Sequence, residues 1–193
     1  MNAISDSEIK EIVQRVLQQS GQGSVPSPAS QAPSSSNSSS AAKVVAIGAD
    51  HGGFEMKSAL IETLKELKYE PLDCGTHSKD AVDYPDFALA VAEQVRSGRA
   101  WRGIMIDGAG IGSCMVANKV PGVRAAMAYD YASASNSREH NNANLLTLGA
   151  GLIGLNQAKL IVKTWLSTEF AGGRHQPRVD KISQVEKKYL KEG

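Results

Sequence analysis

The sequence predicts an α/β protein, a Rossmann-like three-layer α-β-α sandwich built on a five-stranded parallel sheet. Three observations lead there. From Lys43 onward, short apolar runs alternate with stretches whose apolar residues recur every three or four positions. Each apolar run stops at a glycine or a polar residue, as strands do where a turn begins. The runs are almost continuously apolar rather than alternating, which is the pattern of strands covered by helices on both faces.

The strands are read in order as "KVVAIG" (43–48), "YEPLDCG" (69–75), "RGIMID" (102–107), "VRAAMAY" (123–129) and "NLLTLG" (144–149). Between and after them, "FEMKSALIETLKELK" (54–68), "PDFALAVAEQVRSG" (85–98), "GSCMVANKV" (112–120), "YASASNSREHN" (131–141) and "NQAKLIVKTWLSTEF" (156–170) carry helical spacing. A last helix is expected from Pro177, whose fixed φ suits a first helical turn, to a lysine-rich end that complements the helix dipole.

Ahead of this domain the texture differs. Residues 1–19 place Ile9, Ile12, Val13, Val16 and Leu17 on one helical face, with Ser5 and Glu8 spaced as a capping box. A helix of about three turns is marginal alone in water. Residues 20–42, rich in Ser, Pro and Gly and free of charge, read as a flexible linker. The helix therefore offers its apolar stripe to a partner in a groove, or folds back on its own domain or a second copy. Its mixed charges do not suit a membrane surface. Residues 43–193 are the folded domain, leaving three parts in all.

Composition narrows the function. A formal charge of +1, with no basic stripe interleaved with aromatics, argues against a nucleic-acid partner. Cys74 and Cys114 make neither a disulfide framework nor a metal-ligand spacing. No run reaches the roughly 18 apolar residues of a membrane span, and no secretory signal opens the chain. A soluble, cytoplasmic protein without a metal is expected.

Ligands of an open parallel sheet gather at the carboxyl ends of its strands. The first strand places Asp50 and His51 there, and the third places Asp107 before Gly108, Gly110 and Gly112. The fourth leads through Tyr129 into a helix ending in His140 and Asn141. Glycine-rich turns into a helix expose backbone N–H groups that suit a phosphate or a developing oxyanion. Dinucleotide binding could use this turn, with Asp130 at a suitable distance for a ribose, but the third glycine position holds Ser113. Proton transfer could use it too, with Asp107 as base and the amides steadying an enediolate. Asp107 could instead only cap the next helix, and the two histidines could be ordinary core or surface residues. His77 and Cys114 are read as structural. Arg174, His175 and Arg178 fall within about one turn, where helical arginines four apart can fork onto a phosphate, or merely form a solvated face.

Together, "GADHGGFEMK", "DYPDFA", "DGAGIGSCMVANKVPGVRAA", "SREHNNANLLTLG" and "GGRHQPRV" resemble the ribose-5-phosphate isomerase B family, which includes the galactose-6-phosphate isomerase subunits. The resemblance spans nearly all of residues 43–190. It implies a metal-free, cofactor-free aldose–ketose isomerase working through a cis-enediol, with its active site formed between two subunits of a homodimer or of a dimer of dimers. It further implies that His51 and His140 open the ring and donate protons, that Asp50 and Asn141 bind hydroxyls, and that Tyr84 borders the sugar. Gly108, Ala109, Gly110, Ile111 and Gly112 would form the anion hole, and Arg174 and Arg178 would hold the phosphate, reaching into the partner's site. The family pattern is departed from at four places: Asp107 stands where many members carry a cysteine base, Ser113 where another branch carries a glutamate, Ala109 where a hydroxyl residue is usual, and Gly151 where an arginine is common. Asp107 is thus the expected replacement base. Ribose 5-phosphate is the expected substrate, the alternatives being another sugar phosphate, a non-catalytic sugar-phosphate-binding or scaffold protein, or a dehydrogenase. The short helix, linker and domain resemble the encapsulation peptides of bacterial microcompartment cargo, which implies a shell or cargo partner for residues 1–19.

Overall fold

The computed structural model describes residues 42–190. The amphipathic helix expected over residues 1–19 and most of the linker expected over 20–42 lie outside the described residues. The described chain runs β1 (Val44–Ala49), α1 (Phe54–Glu66), β2 (Glu70–Asp73), α2 (Tyr84–Arg96), β3 (Arg102–Asp107), α3 (Ile111–Ala117), β4 (Ala125–Met127), α4 (Tyr131–Glu139), β5 (Leu145–Gly149) and α5 (Leu155–Ser167). A 3₁₀ turn at Gly173–His175 then enters α6 (Gln176–Tyr189). The five strands pair in parallel in the order β2-β1-β3-β5-β4, the Rossmann-like sandwich that the alternation predicts. The second and fourth strands are shorter than their apolar runs because both lie at sheet edges.

Alternate residues of each strand face two cores. Val45, Ile47, Ala49, Ile104, Ile106, Leu146 and Leu148 pack against Leu60 and Leu64 of α1, Ala134 of α4, and Ile161, Val162 and Trp165 of α5. Ala46, Met105 and Leu145 face Ala88, Val91 and Ala92 of α2 and Ala117 of α3. Glycines on this second face let α2 come close: a Cβ at Gly48 would meet Val91 Cγ2 at 2.7 Å. The free edge of β4 is blunted by a side chain, since the Asn118 amide donates to Ala125 O at 3.0 Å while its Oδ1 accepts from Ala125 N at 2.9 Å.

Two buried arginines tie the amino end of the sheet. Arg102 donates through Nη1 to Trp165 O at 2.8 Å and Leu166 O at 3.0 Å, satisfying carbonyls at the end of α5. Its guanidinium lies 3.9 Å from the Trp101 ring centroid. Burial, then the neighbouring charge of Arg138, pushes the Arg102 guanidinium down to about 10. Arg138 bonds Asn142 Oδ1 at 3.0 Å, Ala143 O and Thr168 O, holding the end of α4 to the start of β5 and the end of α5.

The chain departs from β1 toward one edge and from β3 toward the other, so the topological switch lies between β1 and β3. The glycine turn after β3 rests on Gly149, where a Cβ would sit 2.6 Å from both the carbonyl carbon and oxygen of Ala109. Backbone cannot rotate aside as a side chain can. Gly149→Ala is therefore expected to cost about 1–3 kcal/mol by overpacking, read as a lower urea midpoint at unchanged m-value.

Candidate active site

The expected residues form two clusters at opposite ends of the sheet. The first lies at the carboxyl ends of β1 and β3. Asp50, 7% exposed, follows β1; its N–H donates to Ile106 O at 3.1 Å, and its Oδ1 accepts from Gly53 N at 2.9 Å. His51 is exposed, and the backbone of Val82 holds it, the Val82 N–H standing 3.2 Å from Nδ1.

Asp107 ends β3, 4% exposed, with both carboxylate oxygens engaged. Oδ1 accepts from the N–H groups of Ala109, at 2.8 Å, and of Gly110. Oδ2 accepts from the Ser113 N–H at 3.1 Å and from the Ser113 hydroxyl at 2.5 Å. A carboxylate offers about four lone-pair sites, and four protein donors fill them. The capping role weighed from sequence is thus present, and Ser113, buried at 0% exposure, is a partner the sequence reading did not assign. Six residues of separation correspond to no helical or strand period, so nothing in the sequence pairs them.

The turn that Asp107 organises has defined edges. Gly110 sits at φ +79°, a left-handed conformation natural to glycine, and Thr147 Oγ1 donates to its carbonyl at 2.8 Å. Ala109 O accepts from the Tyr129 hydroxyl at 3.1 Å. A Cβ on Gly112 would fall 2.5 Å from Tyr84 Cζ, so the missing side chain seats that ring against the turn. The N–H groups of Ile111 and Gly112 start α3 and have no intrahelical partner by geometry. Gly151 closes the far side, its N–H donating to Gly108 O at 3.0 Å. Asp130, weighed for a ribose, is the N-cap of α4, accepting from Ser133 N at 2.7 Å.

The second cluster lies at the amino end. A helix joining parallel strands runs antiparallel to them, so α4 starts near the carboxyl end of β4 and delivers His140 and Asn141 beside the start of β5. Asn144, four residues past His140, bonds Gly103 at the opening of β3. The length of β5 therefore separates His140 from Asp107, roughly 16 Å for five strand steps. A site gathered wholly at the carboxyl ends is not what one chain builds. His175 stacks on His140 with centroids 4.1 Å apart and planes 9° from parallel. The His140 Nδ1 lies 2.8 Å from Asn136 Nδ2, and Asn141 Nδ2 donates to Asn136 Oδ1 at 3.2 Å. Neither His175 as a stacking partner nor Asn136 was assigned from sequence, although Asn136 and His140 stand at the i,i+4 spacing that makes helical neighbours. Arg174 and Arg178 are both exposed here, but they do not share an α-helix: Arg174 belongs to the 3₁₀ turn and α6 begins at Gln176. Arg174 Nε donates to His175 Nε2 at 3.3 Å.

The carboxyl-end cluster supplies a buried carboxylate, a histidine, a tyrosine and open amides, which suit proton transfer beside a carbonyl. The amino-end cluster supplies imidazole, amide and two guanidiniums, which suit an anion and a proton donor. Burial, followed by the charges of His140, Arg174 and Arg178, lowers the His175 pKa from its ordinary value. The folded state therefore binds that proton less readily than the unfolded chain, and the stabilisation is complete above the ordinary histidine pKa near 6.5 and fades as pH falls below it. The difference in melting temperature between wild type and His175→Gln is expected to be larger at pH 7.5 than at pH 5, as scanning calorimetry would read.

A family model described as Ribose/Galactose Isomerase matches residues 45–182. Ribose-5-phosphate isomerase B of Escherichia coli is 42% identical over 146 residues, covering 76% of this chain and 98% of that protein. D-erythrulose-4-phosphate isomerase of Pectobacterium atrosepticum is 40% identical over 146 residues, 74% of this chain and 94% of that one. The structure of Clostridium thermocellum ribose-5-phosphate isomerase B superposes with a TM-score of 0.75 at 52% identity, covering 76% of this chain and 99% of its own. With a model match over most of its length and identities of this size, the chain belongs to the ribose/galactose isomerase family of aldose–ketose isomerases.

Proposed function

We propose that the protein interconverts ribose 5-phosphate and ribulose 5-phosphate through a cis-enediol, at sites shared between two copies of the chain, with Asp107 as base. The observation that carries the reading is Asp107 itself, a buried carboxylate at the topological switch beside open backbone amides. Three of its four donors are backbone N–H groups fixed by the turn; the fourth, the Ser113 hydroxyl, can rotate. The hydroxyl has an alternative acceptor in the Ala109 carbonyl four residues back, which accepts from Tyr129 and keeps a second lone pair. When it turns there, Oδ2 gains a vacant lone pair for the C2 proton. The C–H bonding pair becomes the new C1=C2 bond, the carbonyl pair moves onto O1, and the Ile111 and Gly112 amides meet that oxyanion. Asp107 returns the proton to C1 while the O2 hydroxyl passes its own to the O1 oxyanion, leaving the ketose with a C2 carbonyl and a C1 hydroxyl. His140 and His51 serve ring opening as hydrogen donors, Asp50 and Asn141 bind hydroxyls, Tyr84 borders the sugar, and Arg174 and Arg178 take the phosphate.

The division of these residues between two ends of one sheet supports the shared site, because no single copy can bring them to one sugar. Exposed Leu89, Ile111 and Met115, beside half-exposed Tyr84, provide an apolar face for the second copy next to the carboxyl-end cluster. A different sugar phosphate stays the nearest alternative, favoured by Gly151, which offers no side chain to a ligand.

Three measurements test the proposal. In D₂O with ribose 5-phosphate, wild type should give ribulose 5-phosphate and deuterium at the migrating position, while folded Asp107→Asn should lose about 10²- to 10⁴-fold in rate. Activity surviving that variant would return Asp107 to helix capping. Mixing inactive Asp107→Asn with inactive His140→Gln under subunit exchange should restore about a quarter of wild-type activity, because half the dimers then hold one intact site; no recovery would sink the shared site. Deleting residues 1–19 should leave turnover intact and abolish co-sedimentation with a microcompartment shell, the partner proposed for that segment.

A further inference from the structure

We propose that Asn136 is a positioning residue that sets the ring tautomer of His140, placing the neutral imidazole's proton on Nε2, and fixes Asn141 with the same amide. One atom of fixed polarity orients the whole network. The backbone carbonyl of Asn136 can only accept, and it lies 3.3 Å from one end of the Asn141 side-chain amide, which must therefore be the NH₂. That NH₂ also lies 3.2 Å from the Asn136 side chain, so the atom it meets is Oδ1. The other end of the Asn136 amide is then Nδ2, a donor, and it stands 2.8 Å from His140 Nδ1. A neutral ring nitrogen facing a donor carries no hydrogen, so the ring proton sits on Nε2. Turning either amide over would set donor against donor or acceptor against acceptor.

The rest of the cluster agrees. His175 stacks flat on the His140 ring and leaves its edge nitrogens to other partners. Glu139 Oε1, the carboxylate facing the ring, is 3.9 Å from Nε2, on the side where the proton is assigned and beyond hydrogen-bond reach. Asparagine competes with the helix backbone and is a poor choice inside a last turn on propensity alone. Here it is exposed and buries little, so its side-chain bonds to His140 and Asn141 give it a purpose that packing does not. The consequence for turnover rests on the isomerase reading above: an Nε2 that carries a hydrogen can donate a hydrogen bond to the sugar ring oxygen as the ring opens, and one that lacks it cannot.

The test is long-range ¹H–¹⁵N correlation of the uniformly labelled full chain at about pH 8.5, where an ordinary imidazole is neutral, with the His140 signals identified by their loss in His140→Gln. Wild type should show the Nε2–H pattern. Asn136→Ala should give a mixture of tautomers, and Asn136→Asp, which presents an acceptor to Nδ1, should reverse the pattern. An unchanged Nε2–H pattern in both variants would overturn the proposal. With ribose 5-phosphate, Asn136→Asp should lower kcat at least tenfold with KM changed less than threefold, and wild-type kcat alongside a reversed tautomer would also overturn the positioning role. Wild type inert toward the sugar would sink the isomerase reading alone, since the nitrogen spectrum decides the tautomer without it.

Discussion

Parallel pairing is the constraint on which the rest of this structure depends. Strands that all point one way can be joined only by segments that carry the chain back, and here helices do so. Every strand therefore ends at one rim and every returning helix ends at the other. Residues placed just after a strand, Asp50 and Asp107, meet at the switch between β1 and β3. Residues placed at the end of a returning helix, His140 and Asn141, arrive at the opposite rim. No local preference of the chain could change this.

The two rims are held by different physics. At the carboxyl rim a single carboxylate collects the N–H groups of Ala109, Gly110 and Ser113, replacing water for donors that a tight turn would otherwise leave unpaired. The same contacts give Asp107 a structural role and leave its chemistry dependent on the one donor that can move. At the amino rim, Arg102 and Arg138 satisfy the carbonyls that close α5 and open β5. Arg138 thereby ties the end of α4, and with it the imidazole that stacks on His175, to β5 and α5. Buried cations are costly unless hydrogen-bonded, and both have carbonyl partners.

The departures from the family pattern fall at contacts that this fold makes legible. Asp107 and Ser113, the two positions where the resemblance implies a different catalytic residue, are bonded to each other. Gly151, where an arginine is common, sits against Gly108 O, where a side chain would begin 3.0 Å from a backbone oxygen. Ala109 keeps its backbone in use, donating to Asp107 and accepting from Tyr129, while offering no hydroxyl.

The sequence by itself determined the fold class, the order of elements and the placing of Asp50, His51 and Asp107 at strand ends, because hydrophobic period and glycine placement are local properties written along the chain. It also singled out His140, Asn141, Arg174 and Arg178 from their residue types and spacing, and resemblance supplied their roles. Only the tertiary structure decided that these lie a strand's length from Asp107, since distance across a sheet depends on connectivity and not on spacing in sequence. It alone decided that Ser113 faces Asp107, that Asn136 faces His140, and that His175 covers that ring. Those contacts join side chains through the turn geometry of α3, the last turn of α4 and the 3₁₀ entry to α6, whose directions no one-dimensional period encodes.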